Sequence, residues 1–405
     1  MLADRVKYVS VPLHEEDRLA ERLIKEGKKV IKMNSGDPTK YFPLPDYIKE
    51  AYKRAIENNK NSYSNPVGID ELREAVANRY SKRYNIDIKK EDVFVTEGVS
   101  EALSFLNFSL IDSNSKAVLF KPYYPSYLPY LKVYGGDSII LDYKEESAWS
   151  IDIDQLEQTV KALKADGSIK KVRYMLITNP NNPTGTVLDR KTLDRIIDIA
   201  NDNNILLISD EIYDEIVFNN ASFTSISSLG KGVRRVILHG ASKVYDATGL
   251  RLGFIIIPED DEESKQLKEA IYELASLRLS SNTPAQYAIA EAISNEAEHN
   301  KHISYMVDSI KRRVDIILDN LPKEIFKSVR PNGAFYVFPR ADLSRLDIKD
   351  DAEFVHKLLE EKYVQITRGS GFGAPGHVRF VALPDEDIIK DAIERIKEFC
   401  NAHSR

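Results

Sequence analysis

Short runs that are apolar on both faces recur through the middle of the chain and constrain its fold more than any other feature. Bounded by turn residues, they read KAVLFKP, SIILDY, VRYMLITNP, ILLISDE, RVILHGAS and GFIIIP. Strands of this composition are typical of a sheet that helices cover on two sides. Helix-like stretches alternate with them, such as DRKTLDRIIDIANDNN, for which Asp189 is the predicted N-cap. The pattern therefore predicts an α/β fold with a mostly parallel sheet and crossover helices.

The C-terminal part of the chain has a different pattern and predicts a second unit. A long helical run, NKHISYMVDSIKRRVDIILDNL, precedes the short runs GAFYVFP, VQIT and HVRFVAL, an order typical of a smaller α+β unit. The turn-rich stretch GDPTKYFPLP separates the N-terminal segment from the central unit. A chain of 405 residues also exceeds the size at which one core stops growing, roughly 250–300 residues. We predict a large domain over 47–290 and a small domain made of 1–46 and 291–405.

Charge and composition exclude several classes of function. The formal net charge of −6 gives no overall cationic surface for nucleic acid or an anionic membrane. Neither a signal-peptide core nor a membrane-length apolar run is present, so the expected location is cytoplasmic. Cys400 is the only cysteine, which excludes intrachain disulfides and thiolate clusters, and no histidine pair has metal-site spacing. We therefore expect no metal, no nucleic acid and no membrane partner.

Three motifs place chemically useful side chains at the ends of predicted strands. Lys243 follows the run RVILH, Asp210 ends LLIS with Tyr213 three residues later, and Asn182 lies in the turn NPNNPTG. The carboxyl ends of strands line the ligand crevice of an open α/β sheet. Taken singly, each residue has an ordinary explanation: a surface lysine, a helix cap, a core aromatic or a common turn.

The order of these motifs resembles that of the class I and II aminotransferases, enzymes of fold type I that use pyridoxal 5'-phosphate (PLP). An NPTG turn precedes the strand that ends in Asp210, then Ser242 and Lys243 follow, and Arg251 lies eight residues beyond the lysine. The resemblance extends over nearly the whole chain, from GDP near the N-terminus to VRF near the C-terminus. It implies a mostly parallel, seven-stranded sheet in the large domain.

The resemblance also implies a role for each residue of these motifs. Lys243 would form the Schiff base with PLP, and Asp210 would pair with the protonated ring nitrogen. Tyr213 and Asn182 would donate to the phenolic oxygen of the cofactor. These residue types fit the chemistry, since an ionised carboxylate keeps the ring nitrogen protonated, and the protonated ring withdraws electrons.

A second group of residues is expected at the phosphate and the ring of the cofactor. The phosphate would lie at a helix N-terminus, which offers free N–H groups and a positive dipole end. The residues that the resemblance implies for this cradle are Gly98, Val99, Ser100, Ser242 and Arg251. Tyr124, in PYYPSY, would stack on the ring, although a core aromatic contact is the simpler explanation for that residue alone.

Two further resemblances concern the partner subunit and the substrate. Tyr63 aligns with a tyrosine that reaches the phosphate bound by the neighbouring subunit, which implies a homodimer. Arg379 aligns with the arginine that forks onto the substrate carboxylate, and Gly36 with a glycine whose backbone approaches the substrate. Gly240 departs from the family pattern, which has a phosphate-contacting serine there, so one phosphate hydrogen bond is expected to be missing.

The predicted function is transfer of an amino group from a small L-amino acid to a 2-oxo acid by a ping-pong mechanism. The stretches GKKVIKMNSGDP and ASLRLSSNTPAQYA resemble the archaeal and bacterial alanine aminotransferases most, so L-alanine with 2-oxoglutarate is the leading pair. Aspartate or aromatic substrates remain an alternative, for which Arg278 is a candidate extra cation. A PLP-dependent C–S lyase with the same residues is a further alternative. Arg368 stands where many relatives have proline. It either helps to recognise a substrate or is a solvated surface charge.

Overall fold

A computed structural model describes residues 2–9, 15–230 and 232–405 of the chain. Its α-helices are α1 (Glu15–Lys25), α2 (Asp46–Glu57), α3 (Asp70–Tyr84), α4 (Gly98–Leu110), α5 (Tyr127–Val133), α6 (Ile153–Ala165), α7 (Arg190–Asp202), α8 (Ala241–Val244), α9 (Glu262–Arg278), α10 (Thr283–Ser294), α11 (Glu296–Asn320), α12 (Asp351–Lys362) and α13 (Glu386–Ala402). Its strands are β1 (Ile31–Lys32), β2 (Val93–Thr96), β3 (Lys116–Lys121), β4 (Asp137–Lys144), β5 (Ser150–Ile151), β6 (Val172–Thr178), β7 (Leu206–Asp210), β8 (Arg235–Gly240), β9 (Gly253–Ile256), β10 (Phe326–Lys327), β11 (Tyr336–Val337), β12 (Arg340–Ala341), β13 (Val364–Gln365), β14 (Thr367–Arg368) and β15 (Val378–Val381).

The central sheet has eight strands in the order β2-β9-β8-β7-β6-β3-β4-β5. The five strands from β8 to β4 are parallel, whereas β9 is antiparallel to both of its neighbours. The predicted α/β fold with a mostly parallel sheet is confirmed. The sheet has one strand more than the seven expected, because the two-residue β5 pairs antiparallel with the end of β4. A strand of two residues carries no apolar run that the sequence pattern could reveal.

Helices cover this sheet on both faces, which explains why its strands are apolar throughout. Along β3, Val118 and Phe120 face one buried cluster, which also contains residues of α3 and α7. Ala117 and Leu119 face the other cluster, which contains residues of α4 and α9. Because successive side chains of a strand point to opposite faces, both sets must be apolar.

The predicted start of α7 is confirmed in detail. Asp189 has extended backbone angles, and its carboxylate accepts a hydrogen bond of 2.7 Å from the backbone N–H of Thr192. This bond satisfies one of the free N–H groups in the first turn. Among the described residues, no helix is both long and apolar enough to cross a bilayer.

Smaller sheets join the N-terminal and C-terminal parts of the chain. β1 pairs parallel with β13, while β11, β15 and β14 form an antiparallel sheet of three strands. The division into 47–290 and 1–46 with 291–405 stays a prediction. Residue 290 falls inside α10, which contacts α2 and α3. Of the predicted N-terminal segment, residues 1 and 10–14 lie outside the described residues.

Candidate active site

Three adjacent parallel strands deliver the central side chains to one edge of the sheet. Asp210 is the last residue of β7, Lys243 lies in α8 directly after β8, and Asn182 lies in the loop that follows β6. The carboxyl ends of neighbouring parallel strands meet at the same edge, so the strand order alone gathers these groups.

Lys243 presents a half-buried amine whose charge is disfavoured. Its Nζ donates a hydrogen bond of 2.6 Å to the backbone oxygen of Gly36. Burial lowers the pKa of Lys243 to about 8; Arg379 and Arg251 lower it too, against the opposing effect of Asp37. Near neutral pH roughly a tenth of the amine is therefore neutral, far more than at the ordinary pKa of 10.5, and the neutral form is the nucleophile.

Asp210 is a buried carboxylate held by two donors. It is 5% exposed, and burial raises its pKa. The Tyr127 hydroxyl donates to Oδ2 over 2.7 Å, and the backbone N–H of Ile212 donates to Oδ1 over 3.3 Å. The Thr178 hydroxyl lies 2.9 Å from the Tyr127 hydroxyl. These bonds favour the ionised carboxylate and oppose the effect of burial.

A spacing of three residues from Asp210 is typical of one face of a helix, but Tyr213 lies in a turn. The chain turns after β7, with the N–H of Asp214 bonded to the oxygen of Glu211. Tyr213 is buried, and its hydroxyl lies 2.8 Å from the hydroxyl of Tyr336 on β11.

Arg379 is a buried cation with unused hydrogen-bonding capacity. It is 4% exposed, and burial lowers its pKa. Its Nη1 donates to Oδ1 of Asn182 over 2.8 Å, and its Nη2 donates to the backbone oxygen of Asn34 over 2.6 Å. Its Nε is buried without a partner in the described part of the chain. A buried cation with a free N–H group fits an anionic ligand.

The start of α4 forms a cradle beside a second arginine. Gly98 opens the helix with φ +74, and a side chain there would collide with the guanidinium of Arg251. The carboxylate of Glu97 does not cap the helix, since it accepts from the N–H of Asn282 instead. The N–H groups at the start of α4 and the cation of Arg251 together suit a phosphate. The cradle residues named from the sequence, Val99 and Ser100, follow in the first turn.

The other predicted residues differ in how deeply they are buried. Tyr124 is half-buried, and its ring centroid lies 5.5 Å from that of Tyr127. Ser242 is half-buried in α8 beside Lys243. Tyr63 is 81% exposed in the single chain. The structure thus gathers the predicted residues except Tyr63, which was expected to act on a partner subunit.

Comparison with known proteins identifies the family of this chain. The profile of the family described as aminotransferase class I and II matches residues 28–396. The chain belongs to this family. The aspartate aminotransferase from Thermotoga maritima is 33% identical to this chain, over 99% of this chain and 100% of its own length. An alanine aminotransferase from Mycobacterium tuberculosis is 32% identical over 98% and 91%. The solved alanine aminotransferase from Pyrococcus furiosus superposes over 100% of both chains with a TM-score of 0.93 and 35% identity.

Two arginines of this aminotransferase were left open by the sequence. Arg278 is held within the framework, since it donates to the backbone oxygens of Pro66 and Val95 and forms an ion pair of 3.3 Å with Glu101. Its guanidinium is therefore occupied by the fold. Arg368 is half-buried in β14, where it pairs with Val378 of β15.

Sequence reasoning missed two tyrosines of the aminotransferase site. The Tyr127 hydroxyl donates to Asp210, and the Tyr336 hydroxyl lies within hydrogen-bond distance of the Tyr213 hydroxyl. Tyr127 follows Tyr124 by three residues in PYYPSY, which was the one available signal. Tyr336 lies in GAFYVFP, whose pattern indicated only a strand of the smaller unit.

Proposed function

We propose that this aminotransferase uses PLP to move the amino group of L-alanine to 2-oxoglutarate in a ping-pong cycle, as a cytoplasmic homodimer. The observation that carries the proposal is the convergence of a lysine with a pKa of about 8, a buried carboxylate and a buried, partly unpartnered arginine at one sheet edge. The first is a nucleophilic amine, the second suits a ring cation, and the third suits a carboxylate.

The residues present fit PLP. The phosphate would lie on the start of α4 and Arg251, the aldehyde carbon at Lys243, and the ring nitrogen at Asp210. Tyr124, which is half-buried, would cover the ring by stacking. When bound, PLP supplies the electron sink that makes the α-proton of an amino acid removable.

Lys243 is then the group that moves protons. Its amine would take the proton from the substrate α-carbon and later give it up again, acting first as a general base and then as a general acid. A pKa of about 8 suits both directions, because neither protonation state is strongly disfavoured near neutral pH. Asp210 must stay ionised to hold the proton of the ring nitrogen, which its bond from Tyr127 favours.

Arg379 binds and orients the substrate carboxylate. Its bond to Oδ1 of Asn182 fixes the amide, whose nitrogen is left as a donor toward the phenolic oxygen of PLP. The backbone oxygen of Asn34 holds the other end of the guanidinium. The backbone of Gly36, two residues from Asn34, would approach the substrate. A Cβ at Gly36 would overlap the Tyr336 hydroxyl.

A homodimer is supported by the exposure of Tyr63. An aromatic side chain that is 81% exposed contributes little to the single chain, whereas an interface would bury it. In the proposed dimer Tyr63 reaches the phosphate bound by the partner subunit. The predicted division into a large domain, 47–290, and a small domain, 1–46 with 291–405, forms part of the same proposal.

Alanine is favoured over aspartate as the amino donor. The relatives are named for both substrates, and the Pyrococcus furiosus structure named for alanine superposes with a TM-score of 0.93. Arg278, the extra cation that the sequence offered for aspartate, is bound to Pro66, Val95 and Glu101, so it gives no specific support for aspartate as the donor. The acceptor 2-oxoglutarate is itself a dicarboxylate, so the preference for alanine rests on the Pyrococcus furiosus structure.

The test is the absorption spectrum of the protein with PLP during successive additions of L-alanine and 2-oxoglutarate. We expect a band of bound PLP that moves to shorter wavelength with alanine and returns with 2-oxoglutarate, with pyruvate and glutamate as products. A response to aspartate alone would replace the substrate, and release of ammonia without an acceptor would indicate a lyase. Lys243→Ala is the control that should lose the band.

A further inference from the structure

Tyr336 lies between the two ends of the candidate site. It is 2% exposed and belongs to β11, which pairs with β15, the strand of Arg379. Its hydroxyl lies 2.8 Å from the hydroxyl of Tyr213. The guanidinium carbon of Arg379 lies 4.5 Å from the centre of its ring. One side chain therefore touches both the group proposed to meet the phenolic oxygen and the group proposed to bind the substrate carboxylate.

We propose that Tyr336 is a positioning residue, whose hydroxyl directs the hydroxyl proton of Tyr213 toward the cofactor and whose ring orients the guanidinium of Arg379. The inference rests on the proposed function, because both contacts gain their meaning from a bound PLP and a bound carboxylate.

The hydroxyl contact has a preferred direction. Each phenol has one proton, so only one of the pair can donate to the other. The guanidinium carbon of Arg379 lies 4.5 Å from the centre of the Tyr336 ring, and a nearby cation makes a phenol a better hydrogen-bond donor. In the proposed arrangement Tyr336 therefore donates to Tyr213, and the proton of Tyr213 is left for an acceptor in the crevice. A phenol that accepts a hydrogen bond is also a stronger donor itself.

The ring contact fixes the plane of the arginine. Tyr336 and Phe372 both lie against the guanidinium of Arg379, with centroid distances of 4.5 and 4.7 Å. Rings against its faces leave the N–H groups pointing along its edges. Two of these groups, Nη1 and Nη2, donate to Asn182 and Asn34. The third, Nε, lies in the same plane and is buried without a partner among the described residues.

The absence of a side chain at Gly36 makes this arrangement possible. A Cβ on Gly36 would overlap the Tyr336 hydroxyl and would lie 3.3 Å from the ring of Phe335. The backbone oxygen of Gly36 also accepts from Lys243. The Tyr336 hydroxyl is therefore packed beside the turn that holds the reactive lysine.

Two variants separate the two contacts. Tyr336→Phe removes the hydroxyl and keeps the ring, and Tyr336→Leu removes both. Tyr174→Phe is the matched control, because Tyr174 is also a buried tyrosine of β structure, and its hydroxyl donates to Asn107 over 2.9 Å. Thermal unfolding of each cofactor-free variant establishes that the protein is folded before either measurement.

The first readout is the pH midpoint at which the absorption band of bound PLP titrates. A hydrogen bond to the phenolic oxygen stabilises its anionic form, so a weaker bond from Tyr213 should raise this midpoint by about one pH unit in both Tyr336 variants.

The second readout is the dissociation constant of propionate from the cofactor-free protein. We expect it to be unchanged in Tyr336→Phe and to rise about tenfold in Tyr336→Leu, because only the latter lacks the ring.

Failure of this inference is distinguishable from failure of the proposed function. If the wild type binds PLP but Tyr336→Phe titrates at the wild-type pH, or Tyr336→Leu binds propionate as the wild type does, the positioning role is wrong. If the wild type takes up no PLP, the proposed function itself is overturned and this inference with it. Equal shifts in Tyr174→Phe and Tyr336→Phe would also overturn it, since they would indicate a general structural effect.

Discussion

The Tyr127 hydroxyl donates a hydrogen bond of 2.7 Å to the carboxylate of Asp210 inside the protein. Burial raises the pKa of Asp210, and this bond opposes the rise by favouring the ionised form. Tyr127→Phe should therefore raise the pKa of Asp210 further. We expect kcat/KM to fall by about tenfold or more, as for one lost hydrogen bond to a charged group, and its acid limb to move to higher pH. The pH profile of kcat/KM measures both effects.

Tyr174→Phe serves as the control for this prediction, because it removes a buried hydroxyl from the same sheet without touching Asp210. A Tyr127→Phe profile with a lower plateau but an unmoved acid limb would show that the hydroxyl does not act through Asp210.

Lys243 has a cost in stability that depends on pH. Its pKa is about 8 in the folded protein against an ordinary value of 10.5, because burial disfavours its charge. Between these pH values the unfolded chain binds more protons, so this group makes the free energy of unfolding rise with pH. The loss in the free energy of unfolding is complete below the pKa of Lys243 in the folded protein and disappears above its pKa in the unfolded chain. The free energy of unfolding of Lys243→Met should therefore exceed that of the wild type by the largest margin near neutral pH.

Denaturant unfolding of the cofactor-free proteins at about pH 7 and about pH 9.5 measures this gain. Lys161→Met, a change at an exposed lysine of α6, is the control. A difference between Lys243→Met and the wild type that stays constant over this range would contradict the prediction.

The strands and the central site residues were predictable because each depended on a local pattern. Runs such as VRYMLIT are apolar on both faces, and this required a sheet covered on two sides, as found for β6. Asp210 and Lys243 follow directly from such runs, so the rule for parallel strand ends placed both in one crevice before any distance was known.

The hydrogen-bond partners were not predictable, because they join distant parts of the chain. Tyr127 and Asp210 are 83 residues apart, and Tyr213 and Tyr336 are 123 residues apart. No periodicity links such pairs. The start of α5, which follows β3, brings Tyr127 to Asp210 at the end of β7, whereas Tyr336 reaches Tyr213 from β11 of the smaller sheet. The two-residue β5 was missed for a different reason, since its pairing depends on the edge of β4 and not on its own composition.

Gly240 cannot accept the serine that the family pattern has at this position. A Cβ there would lie 2.6 Å from the backbone oxygen of Leu252 and 2.9 Å from the Cα of Gly253. Both neighbours are backbone atoms, so neither can rotate away. We predict that Gly240→Ser destabilises the protein by about 1–3 kcal/mol and does not tighten PLP binding.

Gly249→Ser is the matched control, since a Cβ at Gly249 would meet nothing within 4 Å. Thermal unfolding and PLP titration of both variants decide the matter. Tighter PLP binding by Gly240→Ser at unchanged stability would show that the backbone yields and that the missing phosphate contact can be restored.

The exposed position of Tyr63 allows a direct test of the proposed dimer. Each site would combine Lys243 of one subunit with Tyr63 of the other. A dimer of one Lys243→Ala chain and one Tyr63→Ala chain then carries both changes in one site and none in the other. Random mixing of two inactive homodimers should therefore restore about a quarter of the wild-type activity, because half the dimers are hybrids with one intact site.

The activity of the two variants is measured separately and again after the two have been unfolded and refolded together. Tyr305→Ala, at another exposed tyrosine, should leave activity unchanged when alone. If the mixture is no more active than its components, Tyr63 does not complete the site of a partner subunit.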